Sequence, residues 1–84
     1  MENVRHHFIT LCTRNNTEVT HIVKNGKIEV TYEEAVNGGF KTLVTDIQGN
    51  VLSNDGFNSS EVAYFSNFTR QCARGIEQES RGEL

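Results

Sequence analysis

Apolar and polar residues alternate most cleanly between Val19 and Tyr32, on either side of an Asn25-Gly26 pair. Asn-Gly favours a type I′ turn, because both central positions of that turn need positive φ. If Lys24 pairs with Lys27 across it, Val23 faces Ile28, His21 faces Val30 and Val19 faces Tyr32. Side chains alternate along a strand, so these six share one face. The opposite face reads Thr20, Ile22, Lys24, Lys27, Glu29 and Thr31 and is mostly polar. The pattern predicts a half-buried hairpin in an antiparallel sheet with one solvated side.

Upstream, Phe8-Ile9-Thr10-Leu11-Cys12 is β-rich with apolar residues on both parities, and predicts a first strand. Polar residues 13–17 form the turn that pairs it antiparallel with the hairpin. A two-residue loop sets Phe8 and Cys12 beside His21, whereas a three-residue loop sets Ile9 and Leu11 there. Downstream, Thr31 and Glu34 have the spacing of a capping box and Gly38 suits a helix C′ position. They predict a short helix over residues 32–37, in competition with the strand propensity of Val30 and Tyr32.

A second hairpin follows. Phe40-Lys41-Thr42-Leu43-Val44-Thr45-Asp46 and Val51-Leu52-Ser53-Asn54 flank a turn in which Asp46 precedes Gly49 by three residues, the signature of a type I turn closed by a left-handed glycine. Asn58 as N-cap and Glu61 three residues on then open a helix. Val62, Phe65, Thr69, Cys72, Ala73 and Ile76 fall on one face at helical spacing, over residues 59–78. Gly75 weakens that helix by about 1 kcal/mol relative to Ala. Residues 79–84 are polar and are expected to fray. The fold class expected is α+β: an antiparallel sheet of about five strands (two hairpins plus an N-terminal strand) packed by one C-terminal helix, with a short helix between hairpins.

Length changes the picture by limiting the core. The 84 residues form one domain, and a chain of this size buries only about 60% of its unfolded surface. Apolar content is 36%, and Phe8, Phe40, Phe57, Phe65 and Phe68 supply much of the area available. The net charge of −3 is too small to mark a nucleic-acid binder, and the excess acids lie in residues 43–84, with six Asp/Glu against three Arg. No signal-type apolar segment or membrane-length run occurs, so the expected location is cytoplasmic, with Cys12 and Cys72 reduced. Three glycosylation sequons, at Asn15, Asn58 and Asn67, carry no meaning in that compartment.

Few residues suggest chemistry. His6 and His7 point to opposite faces of a strand, and neither is expected directly across from His21, which lies on the core face. Two cysteines and three dispersed histidines lack the spacing of a zinc site, so no metal and no cofactor is expected. Cys72 lies toward the wrong end of its helix for an activated thiol. Asp46 and Asp55 belong to turns, and Glu33-Glu34 suit the first turn of the short helix. No phosphate-binding glycine loop occurs.

By elimination, the expected function is non-enzymatic protein binding, as a regulator or inhibitor of the kind carried by phages and other mobile elements, an association by type. The partner would be another protein or a second copy of the chain. Its contact residues would be those one helix and one sheet face leave uncovered: Ile22 on the outer face, and Tyr64 and Phe68 on the flank of the final helix. One alternative is a nucleic-acid-binding module using Arg5, His6, Lys24, Lys27 and Lys41, with Phe8 and Tyr32 as stacking groups. Another is a small enzyme using His21 with Cys12 or an acid. Neither a membrane nor a small-molecule substrate is expected. Thermal melts with and without excess chelator should superimpose; a large fall in melting temperature under chelator would reveal a metal that the spacing rules miss.

Overall fold

The computed structural model describes residues 5–7 and 17–82. Among these residues five strands, β1 (His6–His7), β2 (Thr17–Lys24), β3 (Lys27–Val36), β4 (Gly39–Asp46) and β5 (Val51–Asp55), form one antiparallel sheet in sequence order. One helix, α1 (Ser59–Glu79), packs on one face of it. The strand expected over Phe8 to Cys12, its two loop registers and Cys12 itself lie outside the described residues.

The first hairpin has the expected register, with Lys24 opposite Lys27, His21 opposite Val30 and Val19 opposite Tyr32. Asn25 and Gly26 take φ of 54° and 77°, as a type I′ turn requires. Val19, His21, Val23, Ile28, Val30 and Tyr32 are all buried. Thr20 is buried too, although it belongs to the solvated face. Arg5 lies over it, donating from Nη1 to the hydroxyls of Thr20 and Thr31, each at 3.1 Å.

The short helix expected over residues 32–37 does not form. β3 runs straight through to Val36, and Asn37-Gly38 turns the chain into β4 with Val36 opposite Gly39. A helix of one or two turns gains few hydrogen bonds for the residues it orders. The strand instead sets Tyr32 between Val19 and Leu43, where all three are buried. The Asn-Gly dipeptide serves here, as at residues 25–26, as a hairpin turn.

The second expected hairpin is present. Gly49 takes φ of 88°, its N–H donates to the Asp46 carbonyl at 3.1 Å, and the Asp46 carboxylate accepts from the Gln48 and Asn50 N–H groups at 2.9 Å each. Desolvation pushes the Asp46 carboxyl up, but these donors and the Asn50 amide outweigh it and hold the group below its usual range. Val44 opposes Ser53 while Thr45 opposes Val51, so Leu52 is the extra residue of a β-bulge in the edge strand.

α1 begins with the expected capping box. Asn58 Oδ1 accepts from Glu61 N–H at 2.9 Å, and Glu61 Oε1 accepts from Asn58 N–H at 3.0 Å. Phe65, Thr69 and Ile76 are buried, and Val62, Cys72 and Ala73 are half-buried, as the spacing predicts. The buried stripe is wider than expected, taking in Ser66 on one side and Phe68 on the other. Tyr32 ties the layers together. Its ring stacks on Phe65 at 4.6 Å and meets the edge of Phe68 at 6.2 Å. Its hydroxyl bonds Thr69 Oγ1 at 2.7 Å, and Thr69 reaches Thr45 at 3.1 Å. Burial pushes the Tyr32 phenol up to about 12, partly offset by the Thr69 bond.

The ordered chain also extends past the expected fraying point, because α1 includes Glu79 and Ser80 is fully buried. Phe65→Ala should cost about 3–5 kcal/mol, most of the stability of a domain this small. A denaturant melt of the variant checks this, and an unchanged midpoint would refute the packing described.

Candidate functional site

The most chemically suggestive cluster surrounds His21. Its Nε2 lies 3.0 Å from Glu79 Oε1 and its Nδ1 lies 3.3 Å from Ser80 Oγ. With the proton on Nε2, one neutral tautomer satisfies both contacts: the ring donates to the carboxylate and accepts from the hydroxyl. His6 stands directly opposite His21 on the neighbouring strand, contrary to expectation, with ring centroids 5.3 Å apart. The register between β1 and β2 is what brings them together, and residues 6–7 alone do not specify it.

Serine, histidine and carboxylate are the constituents of a nucleophilic triad, but a nucleophile must reach a reacting atom. His21 and Ser80 are both 0% exposed, and only the Glu79 side chain reaches solvent, at 48%. The geometry therefore clamps the last turn of α1 to β2. Hydrogen-bond partners at both ring nitrogens explain how a histidine can be fully buried here. Among the described residues, no three His, Cys, Asp or Glu side chains gather closely enough to hold a metal ion.

The basic and stacking residues considered for nucleic acid are dispersed. Tyr32 is in the core. Lys41 is committed to Glu61 at 3.6 Å, to Glu34 at 3.9 Å and to the Phe57 ring at 5.6 Å. Lys24 and Lys27 face each other at the tip of the first hairpin, and Phe8 lies outside the described residues.

The three residues expected to form a contact patch do not come together as one. Phe68 is 6% exposed and belongs to the core, because the helix buries a broader stripe than a single line of side chains. Tyr64 remains 42% exposed on α1, with its ring 5.3 Å from Phe65 and 6.4 Å from Phe68. Ile22 is half-buried on the outer sheet face, on the far side of the sheet from α1.

That outer face carries the most exposed aromatic ring among the described residues. Phe40 is 64% exposed and stands opposite Ala35. It lies beyond Thr17 and Glu34, the last described pair between β2 and β3. Val36, at the same tip, is 41% exposed. One row further in, Glu18, Glu33, Thr42 and Asp55 lie side by side across four strands. Glu18, Glu33 and Thr42 of this row also line an open depression of about 440 Å³, together with Arg5, His7, Thr20, Thr31 and Val44. The sequence does contain a signal for this tip: treating Asn37-Gly38 as a hairpin turn puts Phe40 on the outer face.

No known protein family, characterised protein or solved structure matches the chain. No helix among the described residues is long and apolar enough to cross a membrane. If His21 is a clamp, Ser80→Ala leaves its Nδ1 without the hydroxyl and should cost about 1–3 kcal/mol in a urea melt. An unchanged midpoint would show that the Ser80 contact contributes nothing.

Proposed function

We propose that this chain is a non-enzymatic protein-binding module, of the regulator or inhibitor type, and that it contacts its partner through the outer sheet face and the projecting β3–β4 tip. The observation that carries this function is Phe40. A phenylalanine 64% exposed on regular strand, beside an exposed Ala35 and near Val36, remains wet in the isolated chain. Aromatic side chains set in such positions are the anchors of protein interfaces, and truncating a true anchor costs about 2 kcal/mol or more of binding. Ile22 lies on the same face and extends the surface toward the other hairpin. Tyr64 belongs to a second layer and is not part of this contact.

The burial of His21 and Ser80 disfavours the enzymatic alternative, and the pairing of Lys41 with Glu34 and Glu61 and the burial of Tyr32 disfavour the nucleic-acid one. Affinity capture from the source cell, followed by mass spectrometry, tests the proposal with wild type and Phe40→Ala as baits. The variant should melt within about 0.5 kcal/mol of wild type, as an exposed substitution does, and lose the specific partner. Light scattering on both proteins separates a second copy from a different protein. A monomer that keeps every captured partner after Phe40→Ala would refute the proposed surface.

A further inference from the structure

Resting on the protein-binding function proposed above, we infer that the outer sheet face takes a basic partner, a segment presenting lysine or arginine side chains to the row formed by Glu18, Glu33 and Asp55. The register fixes the geometry. Glu18 stands directly opposite Glu33, Glu33 opposite Thr42 and Thr42 opposite Asp55, all on the face away from α1. Like charges directly opposite each other oppose sheet formation. Elsewhere this chain neutralises such groups. On the helix-covered side Glu34 and Glu61 share Lys41, and Glu61 also caps the helix. On the outer face, among the described residues, Glu18 has only His7, at 3.9 Å and largely exposed. Glu33 and Asp55 have no ion-pair partner among the described residues. Arg5 lines the same depression as Glu18 and Glu33 but directs its guanidinium to the hydroxyls of Thr20 and Thr31.

Charge complementarity also argues against a second copy here. Stacking two such faces would set carboxylate rows near one another, adding repulsion to that already present between Glu18 and Glu33. A cationic side chain laid between those two carboxylates would instead remove the repulsion, while Phe40, in the adjacent row beside Ala35, covers the aliphatic stem of a neighbouring lysine or the plane of an arginine. The partner therefore combines positive charge with an extended, accessible segment long enough to cross the row.

The probe is a fluorescein-labelled decapeptide of alternating lysine and alanine, with the glutamate–alanine peptide as control, read by fluorescence anisotropy. The lysine peptide should bind at low ionic strength and the glutamate peptide should not. Binding should fade in about 0.5 M salt, where screening shortens the reach of each charge to a few ångströms. Glu18→Gln/Glu33→Gln should weaken it about tenfold or more, and Asp55→Asn less but in the same direction. Glu77→Gln, on the exposed side of α1, should change it less than about twofold. Both outer-face variants should melt no lower than wild type, since they remove repulsion. Absence of binding, equal binding of the two peptides, or equal loss in Glu77→Gln would overturn the inference. If the lysine peptide fails while Phe40→Ala still abolishes capture of a cellular partner, the protein-binding function stands and only the basic chemistry of the partner falls.

Discussion

Tyr32 is the residue through which sheet and helix become one structure. It sits in the central strand, its ring stacked on Phe65 and its hydroxyl bonded to Thr69. The ring can lie there only if β3 keeps its parity, and that parity is set seven residues earlier by the Asn25-Gly26 turn. A slip of one residue would send Val19, Val23, Ile28 and Val30 to the solvated side together with Tyr32. The phenol also makes the contact selective. Its oxygen is buried and needs a partner, so the helix position over it must offer a polar atom within reach. Thr69 fills that position and reaches Thr45 as well, so three adjoining polar atoms satisfy one another inside an apolar core.

Much of this arrangement is legible in the residue pattern, because it rests on local signals that agree with each other. The first hairpin, its buried face, the Asp46–Gly49 turn and the Asn58–Glu61 cap each follow from a few neighbouring residues. The error at residues 32–37 arises where two local signals conflict. Thr31, Glu34 and Gly38 fit a helix, while Val30, Tyr32, Val36 and the Asn37-Gly38 pair fit a hairpin. Pairing with β2 and β4 decides between them, and that is information from distant parts of the chain. Phe68 was misplaced for a related reason: the width of a buried helix stripe depends on how much sheet lies beneath it. The clamp on His21 was not legible, since Glu79 and Ser80 lie 58 and 59 residues away from it in sequence. The alternation around Asn25-Gly26 puts Ile22 on the outer face, where it lies, whereas the outward position of Phe40 follows only if Asn37-Gly38 is a hairpin turn and residues 32–37 are strand.

Polar groups are treated differently on the two sides of the sheet. Toward α1 each one has a stated partner: Glu61 has the cap and Lys41, Tyr32 has Thr69, and His21 has Glu79 and Ser80. The low dielectric of the interior makes an unpaired group there costly, so the pairing is required for folding. On the outer side water screens the charges, and repulsion between Glu18 and Glu33 can persist at modest cost. The fold tolerates that row without needing it. Leu52, bulged out of the edge strand, introduces a twist that makes edge-to-edge pairing with other sheets harder.

The strict sequence order of the strands has a kinetic consequence. From β2 onward each strand pairs with the next through a short connection, and two of these turns are two-residue hairpin turns. Closing such loops costs little entropy, and hairpins of this kind form in about 1–10 μs. The sheet can therefore assemble by successive local steps. The helix can dock only once Tyr32 and His21 are in place to receive it, and the bonds from His21 to Glu79 and Ser80 span nearly the whole described chain. Those contacts have the longest loops to close, so they belong to the end of folding. They are correspondingly the first expected to open, which makes the last turn of α1 the natural starting point for unfolding.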